Sequence, residues 1–118
     1  MAASASIRKV GNVSIVDLKG RITLGDGSGV IRETIKGLVA KGERNLLLNL
    51  AEVTYIDSAG LGEMVGSYAT LTSQGGSMKL LNAQTRVQDV LQITKLYTVF
   101  EAFTDENAAV ASFEKATA

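Results

Sequence analysis

The sequence predicts a mixed α/β fold, a single domain in which a sheet of four to five strands carries three to four packed helices. Three observations predict it. Two β-branched runs open the chain as a hairpin, helical and strand patterns then alternate, and 46% of the 118 residues are hydrophobic. We expect residues 1–118 to form one domain, because this length suits one core and the chain contains no linker or repeat. The strand order does not follow from the pattern.

The opening hairpin is predicted over residues 7–10 and 13–18. Gly11 and Asn12 stand between the two runs, and this pair favours a tight two-residue turn between antiparallel strands. Gly20 is expected to end the second strand.

The first helix is predicted over residues 30–41, with Gly42 as its stop. Residues 25–29 are rich in glycine and are expected to be an irregular loop, with Ser28 as the N-cap. The helix has one apolar face, formed by Ile31, Ile35, Leu38 and Val39.

The middle of the chain predicts a buried strand over residues 46–50, a further apolar stretch over residues 53–56, and a helix running to about Ser73. Gly75 and Gly76 close this helix. Its core-facing stripe consists of Leu61, Met64, Val65, Tyr68 and Leu71.

The last third predicts a strand over residues 78–81, a short helix, and a final helix that Asp105 opens. The short helix carries Val87, Val90 and Leu91 and starts near Asn82 or Thr85. Between the two helices, the apolar residues form either a last strand or a packed connection: Leu96, Val99, Phe100 and Phe103.

The composition argues against most classes of enzyme and ligand. The chain has no cysteine and no histidine, so it lacks thiolates, the usual general base near neutral pH and the commonest metal ligand. The 12 basic and 12 acidic residues balance, so direct binding to nucleic acid is not expected. No apolar run is long enough for membrane insertion, and residues 1–6 lack the pattern of a signal peptide. We therefore expect a cytoplasmic protein.

Motifs of catalysis are incomplete in this chain. The spacing of Gly25 and Gly27 lacks the third glycine of a dinucleotide-binding loop, and no Gly-Lys-Ser/Thr is present. Ser58 and Gly60 resemble half of a nucleophile elbow, but Ile56 stands where the first glycine belongs. We expect no catalytic residue, no cofactor and no metal; carboxylate-only metal binding or a lysine-based mechanism is the alternative left open.

The informative segment is residues 57–62, DSAGLG, at the predicted start of the second long helix. Asp57 or Ser58 supplies the oxygen that a helix N-cap needs. A second interpretation is that Ser58 is a regulatory phosphoacceptor, because the small residues after it leave the hydroxyl accessible. Spacing alone does not decide between these two interpretations.

Residues 49–62, NLAEVTYIDSAGLG, resemble the signature of the STAS domain as found in bacterial anti-sigma-factor antagonists. The similarity extends to residues 20–22, 75–76, 80–82, 90–96 and 99–100 in the family's order. The resemblance implies a STAS-like fold and an unphosphorylated form that captures an anti-sigma factor, which frees the sigma factor. It also implies that this anti-sigma factor is a serine protein kinase that phosphorylates Ser58, and that a PP2C-type phosphatase reverses the modification.

The resemblance implies a partner-binding surface at the same motif. Its expected members are Asp57, Ser58, Ala59, Gly60, Leu61, Gly62 and Thr23. Ala59 and Thr23 depart from the family, in which many members have a second hydroxyl and an aspartate at these positions. Two alternatives remain: a constitutive STAS scaffold or nucleotide-binding module without phosphorylation, and a small enzyme that uses Ser58 with Asp57.

Overall fold

A computed structural model describes residues 3–25 and 27–115. Met1, Ala2 and residues 116–118 of the predicted domain, and Asp26 of the predicted loop, lie outside the described residues. The described elements, in chain order, are β1 Ser4–Val10, β2 Val13–Ile22, α1 Ser28–Ala40, β3 Asn45–Ile56, α2 Ser58–Ser73, β4 Ser77–Leu81, α3 Thr85–Ile93, a 3₁₀ turn Leu96–Thr98, β5 Ala102–Phe103 and α4 Glu106–Lys115.

The strands form one mixed sheet in the order β1-β2-β3-β4-β5, which confirms the predicted fold class. β1 is antiparallel to β2, and the other neighbouring strands are parallel. The pairing of β2 with β3 ends at Ile22 opposite Ile56. The helices that follow these two strands, α1 and α2, therefore begin at the same edge of the sheet.

Helices cover both faces of the sheet, so its central strands are buried on both sides. α1, α2 and α3 pack on one face against a core that includes Val16, Leu48 and Leu80. α4 packs on the other face, where Phe113 meets Ile15 and other apolar side chains. Burial on both faces explains why residues 46–48 read as an unbroken apolar run. Among the described helices, none is both long and apolar enough to cross a membrane.

Strands β2 and β3 continue past the ends that their patterns predicted. β2 continues through Gly20 to Ile22, so the prediction that Gly20 ends the strand is wrong. Gly20 has a φ of +96°, and the register with β3 shifts directly after it. Glycine tolerates this irregularity, and the strand resumes beyond it. In the same way, the predicted apolar stretch at residues 53–56 is the end of the continuous strand β3.

The start of α1 also differs from the prediction. Gly27 is the N-cap, and Ser28 and Gly29 already belong to the helix, so neither the N-cap at Ser28 nor the loop to Gly29 is correct. A Cβ on Gly27 would lie 2.6 Å from the carbonyl oxygen of Arg21. The glycine packs against the end of β2, and this contact sets where the helix begins. Gly42, with a φ of +91°, follows the end of α1 as predicted.

The last third combines both predicted alternatives. Residues 96–98 form a packed turn and β5 is a strand of two residues. The short helix begins at Thr85 rather than at Asn82. Asp105 Oδ2 accepts a hydrogen bond from Ala108 N at 2.8 Å, which confirms that Asp105 opens the final helix.

Candidate functional site

Asp57, rather than Ser58, caps α2. Asp57 Oδ1 accepts a hydrogen bond from the backbone N–H of Gly60 at 2.9 Å, which satisfies one of the free amides of the first turn. Ser58 is the first helical residue, and it is exposed. Its hydroxyl has no hydrogen-bond partner among the described residues. The hydroxyl therefore stands free at the start of the helix.

The second carboxylate oxygen of Asp57 binds the segment that follows β2. Asp57 Oδ2 accepts a hydrogen bond from Leu24 N at 3.0 Å, and Asp57 N donates to the carbonyl of Ile22 at 3.2 Å. These contacts fasten the β2–α1 connection to the start of α2. The N–H groups of Gly60 and Leu24 hold the pKa of the Asp57 carboxyl below its usual value, so it is ionised near neutral pH.

Gly60 brings the first turn of α2 into contact with the end of β2. A Cβ at this position would lie 2.3 Å from the carbonyl oxygen of Ile22 and 2.7 Å from Ile22 Cγ2. Any larger residue would have to displace the helix or the strand. The sequence singled out Gly60 for its small size, but did not show that its close neighbour is β2.

The expected contact residues of α2 divide into an exposed and an inward-facing group. Ser58 and Gly62 are exposed, and Ala59 is half-buried. Gly60 and Leu61 are buried, with Leu61 only 8% exposed, so their side of the turn faces the core. A partner that approaches this turn first meets Ser58 and Gly62. Whether any of these residues binds a partner stays a prediction.

Thr23 lies at the same edge of the sheet as Asp57. Its carbonyl oxygen accepts hydrogen bonds from Gly27 N at 2.9 Å and Ser28 N at 3.2 Å, which closes the turn into α1. Thr23 is half-buried and follows Ile22, whose register partner Ile56 precedes Asp57. The structure thus brings the two separated parts of the predicted surface together.

The sequence patterns missed three neighbours of the site, which are Arg21, Tyr55 and Leu24. The guanidinium of Arg21 lies 4.9 Å from the ring centroid of Tyr55, in a pair that the β2–β3 register creates. Leu24 is 79% exposed beside the capping carboxylate. The sequence does contain a sign of the pair of Arg21 and Tyr55. Each residue directly precedes the last residue of its strand, and the two strands are parallel neighbours. Leu24 has no comparable signal, because its partner is 33 positions away.

The electrostatic setting of Ser58 combines the amino end of α2 with the ionised carboxylate of Asp57. The amino end of a helix carries a partial positive charge, and the first turn of α2 contains no acidic side chain. Further along, Arg32 of α1 pairs with Glu63 of α2 at 3.0 Å and joins the two helices.

The site contains no group placed to activate Ser58 as a nucleophile. The two oxygens of Asp57 are bonded to backbone N–H groups and not to the Ser58 hydroxyl. Within residues 3–25 and 27–115, no three His, Cys, Asp or Glu side chains stand close enough together to hold a metal ion. The geometry thus presents an accessible hydroxyl at the start of α2.

Comparison with known proteins gives a family match along nearly the whole chain. The model of the STAS domain matches residues 4–109. The anti-sigma-B factor antagonist of Bacillus subtilis is 38% identical over 72 residues, which are 61% of this chain and 65% of that protein. The match therefore spans slightly less than two thirds of that relative's length.

Solved structures share the fold at lower identity. An anti-sigma factor antagonist from Mycobacterium paratuberculosis superposes with a TM-score of 0.83 at 18% identity, covering 94% of this chain and 93% of that one. The Bacillus cell fate determinant SpoIIAA in its phosphorylated form gives a TM-score of 0.73 at 20% identity, covering 93% and 99%. The relative from Bacillus subtilis and the structure from Mycobacterium paratuberculosis are both named anti-sigma factor antagonists. Since the family model spans residues 4–109, the chain belongs to the STAS domain family.

Proposed function

We propose that this protein is a cytoplasmic anti-sigma factor antagonist that phosphorylation of Ser58 switches off. The unphosphorylated form binds an anti-sigma factor that is also a serine kinase, and the sigma factor is released. A PP2C-type phosphatase restores the binding form. The observation that carries the proposal is the exposed Ser58 hydroxyl, which is free because Asp57 caps α2.

The switch follows from charge. A phosphate adds about −1.5 to −2 charges beside the ionised carboxylate of Asp57. Within this protein the positive end of the α2 dipole offsets part of that charge and Ser58 is exposed to solvent, so the fold is retained. In a contact with a partner, an uncompensated dianion costs several kcal/mol, and about 1.4 kcal/mol already lowers affinity tenfold. Phosphorylation therefore ends binding without unfolding the protein.

The contact surface consists of the start of α2 and the adjacent β2–α1 connection. Ser58 and Gly62 supply its exposed part on α2, and Thr23 lies across the same sheet edge. Asp57 acts by holding the two segments together through Gly60 N and Leu24 N. Ala59 leaves Ser58 as the hydroxyl of the DSAGLG motif.

The test is to incubate the protein with ATP, magnesium and each anti-sigma factor kinase of the host organism, produced one at a time. We expect one kinase to phosphorylate Ser58, as located by mass spectrometry, and to bind the unmodified protein. Ser58→Ala should remove the modification and keep binding. Ser58→Asp should lose binding with an unchanged circular dichroism spectrum.

Ser6→Asp is the matched control, because Ser6 is exposed on β1 and its substitution adds the same charge away from α2. It should bind as the wild type does. Equal binding by Ser58→Asp and wild type would reject the switch and favour a constitutive STAS scaffold or nucleotide-binding module. Phosphate on a residue other than Ser58 would overturn the site.

A further inference from the structure

One large apolar side chain is exposed beside Ser58. Leu24 is 79% exposed in the connection between β2 and α1. The other exposed large apolar side chains in the described part of the chain lie elsewhere. They are Ile7 and Val10 on β1, and Ile93, Tyr97 and Val99 at or after the end of α3.

The backbone around Leu24 is held in place. Its N–H donates to Asp57 Oδ2 at 3.0 Å, and the carbonyl of the preceding Thr23 accepts from Gly27 N and Ser28 N. Single exposed leucines are ordinary on protein surfaces. This one differs because the carboxylate that caps the helix of Ser58 also fixes its backbone. A residue whose backbone is already fixed loses less conformational entropy when a partner binds it.

The distance between Leu24 and Ser58 is short compared with a protein interface. Asp57 directly precedes Ser58 and bonds to Leu24 N, so chain geometry limits the separation of the two Cα atoms to about 12 Å. A stable interface covers about 800 Å² on each partner, equal to a disc of about 16 Å radius. A protein that centres on Ser58 therefore also covers Leu24.

We propose that Leu24 is an apolar anchor that enters a hydrophobic pocket of the anti-sigma factor kinase which phosphorylates Ser58. The inference rests on the proposed function, and adds to it the residue that supplies affinity next to the switch. A few residues that fill desolvated pockets near the centre of an interface contribute most of the binding energy. Leu24 makes its contact on the partner and not with the reacting atoms, so its loss affects binding and not phosphoryl transfer.

The experiment compares Leu24→Ala with Ile93→Ala, because Ile93 is 82% exposed and lies at the end of α3. The probe is the host kinase that phosphorylates Ser58, and binding is measured by isothermal titration calorimetry. We expect Leu24→Ala to raise Kd about tenfold to a hundredfold and Ile93→Ala to change it less than about twofold. In phosphorylation assays, Leu24→Ala should raise KM with kcat unchanged.

Leu24→Met supplies a second measurement, since it keeps an apolar side chain of similar volume and should retain Kd within about threefold of the wild type. Leu24→Ala with wild-type Kd, while Ser58→Asp does not bind, would overturn the anchor and leave the proposed function standing. An equal rise in Kd for Leu24→Ala and Ile93→Ala would also overturn the proposal that Leu24 is an anchor. If no host kinase phosphorylates Ser58, the proposed function fails and the anchor with it.

Discussion

Gly60 in α2 and Ile22 at the end of β2 are in such close contact that a Cβ on residue 60 would lie 2.3 Å from the Ile22 carbonyl oxygen. That same carbonyl accepts the N–H of Asp57 at 3.2 Å. Because Asp57 caps α2 and Gly60 donates to its carboxylate, the end of β2 fixes where Ser58 stands. Packing in the core thus determines the geometry of the exposed site.

The first prediction is that Gly60→Ala destabilises the protein. The added methyl group meets backbone and a branched side chain, neither of which can turn away, so helix and strand must separate. Overpacking of this kind costs about 1–3 kcal/mol. Urea denaturation at pH 7, followed by circular dichroism, measures the loss in the free energy of unfolding.

Gly62→Ala is the control for this prediction. Gly62 lies in the same turn and is exposed, and a Cβ there would have no neighbour within 4 Å. Alanine is favoured over glycine inside helices, so this variant should gain about 0.5–1 kcal/mol. Equal changes in both variants would show that helix propensity, and not contact with Ile22, governs residue 60.

The second prediction concerns the phosphorylated protein. An anion in the first turn of a helix is stabilised by about 0.3–1 kcal/mol, while repulsion from Asp57 acts against it. We expect the free energy of unfolding of the form phosphorylated on Ser58 to lie within about 1 kcal/mol of the unmodified form. Denaturation of both forms in parallel measures the difference. A loss of several kcal/mol would mean that the switch acts by unfolding, against the proposal.

The sequence predicts the elements of the site but not the contacts between them. An apolar strand followed by Asp57, Ser58 and an amphipathic stripe locates the start of α2, and the structure confirms it. Those signals are local. The hydrogen bond from Leu24 N to Asp57 Oδ2 joins residues 33 positions apart, and no local pattern reveals it.

The wrong predictions at Gly20 and Ser28 have the same physical origin. Gly27 became the N-cap of α1 because it packs on the Arg21 carbonyl, while Ser28 has the better side chain for a cap. Gly20 stays inside β2 because pairing with β3 continues beyond it. In both places tertiary contact outweighed the local preference of the residue.

The third prediction is that the contribution of Asp57 to the stability of the fold depends on pH. Its pKa in the folded protein is lowered from an ordinary value of 3.8, chiefly by Gly60 N and also by Leu24 N. The carboxylate therefore contributes stability above that ordinary value, and the contribution is lost as the pH falls through the folded pKa. The stability difference between wild type and Asp57→Asn should be largest near pH 7 and shrink below about pH 4.

The measurement is denaturation of both proteins at several values between pH 7 and pH 3. Asp89→Asn is the control, because Asp89 is an exposed aspartate on α3. The free energy of unfolding of Asp89→Asn should follow that of the wild type across this pH range. A difference between wild type and Asp57→Asn that stays constant with pH would show that the carboxylate charge contributes nothing to the cap.

The fourth prediction separates two ways of holding α4 on the sheet. Arg8 bonds to Asp17 at 2.6 Å and to Glu106 of α4 at 2.9 Å, but its side chain is 42% exposed. Phe113 of α4 is 2% exposed in the core on that face. Exposed ion pairs contribute about 0–1 kcal/mol, whereas truncating a buried phenylalanine costs about 3–5 kcal/mol.

We therefore expect Arg8→Met to lower the free energy of unfolding by less than about 1 kcal/mol and Phe113→Ala by about 3–5 kcal/mol. Urea denaturation in low and high salt measures both, and salt should reduce only the difference between Arg8→Met and wild type, since it screens exposed charges. A larger loss for Arg8→Met than for Phe113→Ala would mean that the charges, and not the apolar contact, hold α4 on the sheet. Because α4 lies on the face opposite α1 and α2, neither variant should alter phosphorylation of Ser58 under conditions in which the protein stays folded.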